Sequence, residues 1–136
     1  MTAMRHKSET PLAILTLALT LLHFVLETMY HFKYGQPLQA LIVDYIWNAL
    51  AIFAAIVSLR IRPKSAAGLL AASWAFALGF GWRSVFGRLA LTDTERAAGN
   101  GEPLYITYVL IGALCLVAVF LIWSLWLAYR QSKHSA

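Results

Sequence analysis

LYITYVLIGALCLVAVFLIWSLWLAY, residues Leu104–Tyr129, runs without a single charged side chain. A helix rises 1.5 Å per residue, and a hydrocarbon layer about 30 Å thick takes about 20 residues to cross. This stretch is long enough on its own. Working outward from it, three more apolar segments meet the same requirement: about Pro11–Phe32, Leu38–Leu59 and Ser65–Leu91. The third is the weakest, because Arg83 and Arg88 interrupt its far end. It either leaves the hydrocarbon near Trp82 or continues with both arginines inside the bundle. The four segments use nearly all of the 136 residues, which leaves room for one membrane domain over 1–136. The fold class expected is all-α, a polytopic four-helix bundle.

Composition points the same way. The chain is 60% hydrophobic and 12% charged, against about 45–50% and about 25% for soluble domains. The net charge of +5 sits on residues that flank the apolar runs, where it acts as a topology signal. No Lys/Arg stripe with interleaved aromatics is present, so nucleic acid is not an expected partner. The single cysteine, Cys115, excludes an intramolecular disulfide and thiol–disulfide chemistry within one chain. Arg5, His6 and Lys7 precede the first run as in a signal peptide. The run outlasts a typical h-region and no A-x-A site follows it, so a retained first helix is expected.

The segment ends are marked. Pro11 follows Ser8 and Thr10, which suits a capped first turn. Lys33-Tyr34-Gly35-Gln36-Pro37 reads as a stop and restart, and Arg62-Pro63-Lys64-Ser65 as a second turn. Thr92–Pro103, with Gly99-Asn100-Gly101, is the one substantial loop. Arg5, Lys7, Arg60, Arg62, Lys64, Arg130 and Lys133 would share one side. Lys33, Arg88 and Arg96, offset by Asp93, Glu95 and Glu102, would share the other. The positive-inside rule then places both termini in the cytoplasm. A bacterial inner membrane is the expected location, with the acidic loop in the periplasm.

Placing polar residues by depth gives a candidate site. Thr16, Thr20, His23, Glu27 and His31 are spaced 4, 3, 4 and 4, one helical stripe. The second segment carries Asp44 and Asn48 one turn apart, continued by Ala51, Ala55 and Ser58. The third offers Gly68, Ala72, Gly79 and Arg83, and the fourth Tyr105, Tyr108, Gly112 and Cys115. His23, Glu27, Asp44, Asn48, Arg83 and Tyr108 are expected to converge in the outer half, with Trp82 and Tyr105 lining a flat apolar ligand. The inner half would close on Ala, Gly and Ser. Ionisable groups at membrane depth cost about 2.5–3.5 kcal/mol each, so they persist in pairs or facing water. Glu27 with Arg83 and Asp44 with Arg88 are the expected pairs.

His23-x3-Glu27 and Glu27-x3-His31 each have i,i+4 chelate spacing. His23 and His31, however, lie about 12 Å apart along the axis, so they do not share one ion or a haem. His23, Glu27 and His31 are therefore weak metal candidates, and no metal is expected. Most of the Trp and Tyr residues read as an interface belt or as packing. No phosphate loop or nucleophile elbow is present, and no cofactor is expected.

The His23-Phe-Val-Leu-Glu27 stretch, followed by the acid Asp44 on the next helix, resembles the EXPERA group, which includes the emopamil-binding sterol isomerases. Glu102-Pro-Leu-Tyr105, leading into the last helix, is also similar. The resemblance implies a four-helix core of the same in/out sense. It further implies that His23, Glu27 and Asp44 surround a sterol-like or amine ligand, where a double bond is moved by protonation and deprotonation. The chain departs from the pattern in two places. Asp44 lies about one turn from the position of the family's glutamate, and Gly112 and Ala113 stand where an asparagine is expected.

The function expected is binding of a hydrophobic small molecule (lipid, sterol-like, isoprenoid or quinone) by its polar head, with Glu27, His23 and Asp44 as candidates for a proton-transfer reaction. Asn48, Trp82, Arg83, Tyr105 and Tyr108 would line the ligand. Two alternatives stand beside it: a small proton-coupled transporter, as a homodimer using Glu27, and an accessory subunit of a larger membrane complex.

Overall fold

A computed structural model describes residues 2–61, 66–91 and 103–133, with side chains from Glu9 onward. Among the described residues the chain is entirely helical. Helix α1 is Thr2–Tyr34 and α2 is Leu38–Ile56, extended by a widened π turn at Val57–Ile61. Helix α3 is Ala66–Leu89 and α4 is Leu104–Lys133. Each contains a stretch long and apolar enough to cross a membrane, from 24 residues in α3 to 30 in α4. The Arg62–Ser65 turn, the Gly99-Asn100-Gly101 loop and Glu102 lie outside the described residues.

Local chemistry explains most helix ends and corrects one. Helix α1 begins nine residues before Pro11, so Pro11 is interior and does not open a first turn capped by Ser8 and Thr10. Proline removes only its own N–H and frees the carbonyl four residues back. Helix α1 ends where Gly35 adopts φ 68° and its N–H donates to the His31 carbonyl at 2.9 Å. A side chain at that φ is strained, which is why glycine closes so many helices. The Pro37 carbonyl then accepts from Ala40 and Leu41, at 2.9 and 3.2 Å, and starts α2. At the far end of α2, Pro63 has no N–H to offer the Leu59 carbonyl. Regular i to i+4 pairing cannot continue through it, and the chain widens over the turn just before. Helix α3 runs unbroken through both arginines to Leu89.

The helices pack as two hairpins, α1 with α2 and α3 with α4, joined through α2 and α3, while α1 and α4 touch sparsely. The end that carries the chain termini closes on small residues. Ala13, Ala51, Ala55, Ala66 and Ala67 are fully buried there, which lets backbones approach closely. On α3 the small residues expected to do this point elsewhere. Gly68, Ala72 and Gly79 are exposed, and a Cβ on Gly68 or Gly79 would meet nothing within 4 Å. The glycine that brings α3 close to α4 is Gly81, whose Cβ would stand 3.1 Å from Leu114 Cδ1.

An aromatic layer fills the middle. Trp74 is the centre, with its ring 5.8 Å from Trp47 and 4.9 Å from Phe120. An indole N–H buried away from water needs an acceptor. Trp74 Nε1 donates to Thr16 Oγ1 at 3.1 Å, and Trp47 Nε1 to the Ser73 carbonyl at 3.0 Å. These two tryptophans pack the interior, whereas Trp82 and Trp126 stay exposed. The outer surface of all four helices is apolar, with Leu26, Phe53, Phe76 and Ile122 among its exposed side chains. At the helix ends cations lie over exposed rings: Arg130 over Trp126 at 4.0 Å and Lys133 over Tyr129 at 4.8 Å.

Candidate functional site

The polar stripe of α1 faces inward, as its spacing requires. Thr16 and Thr20 are fully buried, and His23, Glu27 and His31 are half-buried. Across from them on α2, Asp44 and Asn48 are buried to 1% and 2% exposure. Together these residues form a polar cluster at the end of the bundle that carries the α1–α2 turn, directly above the aromatic layer. His23 links the two, because its ring stands edge-on against Trp47 at 4.6 Å.

The imidazole bridges two different groups. Nδ1 lies 3.2 Å from Asn48 Oδ1, and Nε2 lies 3.6 Å from Glu27 Oε1. The second contact becomes an ion pair when the ring is protonated. Glu27 in turn sits close enough to Asp44 and Gln36 for the three side chains to act on one another. Gln36 Nε2 donates to Asp44 Oδ2 at 2.9 Å. The turn that aims Gln36 is fixed by His31, whose Nδ1–H donates to the Gln36 carbonyl at 2.8 Å. Carbonyls only accept, so this bond sets the His31 tautomer. Thr28 Oγ1 and Tyr45 OH, 2.8 Å apart, pin α1 to α2 beside the cluster.

One cation serves both acids. Arg88 reaches in from α3 and its charge acts on Glu27 and on Asp44 alike. Its Nη2 donates to Tyr30 OH at 3.1 Å, and the guanidinium lies 5.8 Å from the Tyr30 ring centre. The pairing expected between Glu27 and Arg83 is not formed, because Arg83 is exposed on the other side of α3. Helix geometry gives the reason. At about 100° per residue, Arg83 lies half a turn from the buried Trp74, whereas Arg88 returns to within about 40° of it.

The remaining expected lining residues also point away. Trp82 is exposed and stacks at 4.3 Å on Phe86 along the outer face of α3. Tyr105 and Tyr108 are exposed on α4, as are Gly112 and Cys115. The convergence on Tyr108, Trp82 and Tyr105 is therefore corrected: α1 and α2 build the cluster, and α3 adds Arg88. Among the described residues no three His, Cys, Asp or Glu side chains form a group able to hold a metal.

No family model, curated protein or solved structure matches the chain. The site therefore has to be read from its own chemistry. Sequence reasoning missed Gln36, Tyr30 and the His23–Trp47 contact. Gln36 is a polar residue in the turn five positions past His31, outside the helical stripes that carry the other polar groups.

The arrangement can pass a proton. A carboxyl and an imidazole stand 3.6 Å apart, with side chains 18% and 31% exposed respectively. A buried amide meets the far ring nitrogen, and a guanidinium balances the charge. General acid–base chemistry needs such a pair within reach of a reacting group.

Proposed function

We propose that the protein is an integral membrane protein, with both termini cytoplasmic, that binds a hydrophobic small molecule by its polar head at the outer end of the bundle. The single observation that carries this reading is the cluster of His23, Glu27, Asp44, Asn48 and Arg88 above a buried aromatic floor, left partly open at His23 and Glu27. Ionisable groups at that depth cost free energy that packing alone does not require, and they are retained where they meet a ligand, an ion or a proton path. The apolar outer surface suits hydrocarbon, and the cation–aromatic pairs at the helix ends suit its interfaces.

On this reading Glu27 and His23 form the proton-exchanging pair. Moving a double bond needs one group that protonates a carbon and a second that removes a proton from a nearby one. Two titratable groups 3.6 Å apart meet that need. The isomerase-type chemistry implied by the EXPERA resemblance would use the same pair, with Asp44 holding Gln36 beside it.

Native mass spectrometry from mild detergent tests the ligand. The wild-type protein is expected to carry a discrete hydrophobic mass, and Glu27→Gln is expected to lose most of it, about tenfold in occupancy for one charge-assisted contact. A bare wild-type protein, or equal occupancy in the variant, overturns the reading. Orientation is tested separately on a Cys115→Ser background. A cysteine placed beside Gln36 should label with an impermeant maleimide in intact cells, and one placed at Ser132 only after lysis. The reverse pattern overturns the cytoplasmic termini.

A further inference from the structure

Two polar atoms in the cluster have no partner although both are buried from solvent: Asn48 Nδ2 and Gln36 Oε1. They lie on either side of Asp44, which Gln36 binds and which precedes Asn48 by one helical turn. The orphans are informative because every charged group around them is already engaged. Asp44 has Gln36 and the field of Arg88, and Glu27 has His23, Gln36 and the same Arg88. What the cluster leaves open is therefore an amide donor and an amide acceptor, neither of them charged.

We infer that the site takes an uncharged, hydroxyl-bearing headgroup on an apolar tail, with Asn48 as the residue that selects it. This rests on the reading of the cluster as a ligand site and narrows it to one head chemistry. A hydroxyl both donates and accepts, so it can take the Asn48 N–H and still offer its own hydrogen. That versatility fits a second feature. With the His23 proton on Nδ1, the imidazole donates to Asn48 Oδ1 and the free amide atom is the nitrogen. With the proton on Nε2, the amide turns over to donate to Nδ1 and the free atom becomes the oxygen. A hydroxyl satisfies both states, whereas a ketone or ester carbonyl satisfies only the first. An ammonium head only donates and so carries no acceptor for the Asn48 N–H, and a phosphate or carboxylate head would face Asp44 and Glu27 directly. His23 lies between Asn48 and the outside and is itself partly exposed, so rotation of its ring uncovers the amide.

The test uses Trp47, which touches His23, as the reporter, in a background where Trp82, Trp123 and Trp126, the tryptophans not buried in the core, are replaced by phenylalanine. Long-chain alcohol, carboxylate and amine probes bearing the same mid-chain dibromide, a contact quencher of tryptophan fluorescence, are titrated into the full-length protein in phosphatidylcholine nanodiscs. The alcohol is expected to quench at the lowest concentration. Asn48→Leu should weaken it about tenfold, the usual effect of one lost hydrogen bond to a buried group, while leaving the other two probes unchanged. Gln36→Leu, in the turn, is a second variant that leaves the α2 core intact and should shift the alcohol in the same direction. If the amine or the carboxylate binds best and responds to these variants, the site exists but its head chemistry is not the one inferred. If no probe responds to either variant, the orphan atoms serve no ligand, and both this inference and the ligand-site reading fall.

Discussion

Trp74→Ala should destabilise the bundle more than any other single aromatic truncation, by about 3–5 kcal/mol on the scale of large-to-small core changes. Trp74 is 1% exposed and links all four helices: its own α3, α1 through Thr16, α2 through Trp47 and α4 through Phe120. Lipid tails are as apolar as the core, so the loss comes from packing contacts and from the hydrogen bond rather than from exposure to water. Trp74→Phe separates the two parts. It keeps a ring against Phe120 and removes the donor to Thr16, and about 0.6–1 kcal/mol should go with that bond. Trp82→Ala is the control, since its ring lies on the outer face, and surface changes usually stay within about 0.5 kcal/mol. Reversible unfolding in mixed micelles, followed by circular dichroism, ranks the three. Equal losses for Trp74→Ala and Trp82→Ala would mean that the aromatic layer is not the structural centre.

Arg88→Ala should come next, with a cost of about 2 kcal/mol. Removing one partner from a buried charge group leaves the other uncompensated, typically at 3–5 kcal/mol. Arg88 is only half-buried, so water recovers part of that. The identically charged Arg83, five residues earlier and exposed, should cost about 0.5 kcal/mol or less when truncated. The decisive comparison is the double variant Arg88→Ala with Glu27→Gln. If Arg88 stabilises by balancing Glu27 and Asp44, removing one acid should restore part of the loss, and the pair will be non-additive. Strict additivity would show that Arg88 acts through contacts other than the two acids, such as Tyr30 and the Ser84 carbonyl.

How much of this was legible in the sequence differs between the two hairpins. The inward faces of α1 and α2 could be read because each carries ionisable or amide groups within a run long and apolar enough to cross a membrane, and such groups rarely face lipid. The faces of α3 and α4 could not be read from small residues. Lipid accepts glycine and alanine as readily as a helix interface does, so Gly68, Gly79 and Gly112 marked nothing. Better markers were present. On α3, Leu70, Trp74, Ala77, Gly81, Val85 and Arg88 are spaced 4, 3, 4, 4 and 3, a stripe that places Arg88 inside and Arg83 outside. On α4, Ser124 and Gln131 lie seven apart, on one helical face, and both are buried. The early start of α1 was obscured by Pro11, which reads as a boundary in any sequence.

The division into hairpins has a consequence for how the chain is made. Domains are completed from the N-terminal side during synthesis, and contacts close in sequence form fastest. The α1–α2 hairpin would emerge first, with His23, Glu27, Asp44, Asn48 and Gln36 already assembled. Arg88 is encoded forty residues after Asn48. For an interval the nascent protein therefore holds two neighbouring carboxyls with no guanidinium beside them, and the arrival of α3 is the event that neutralises them.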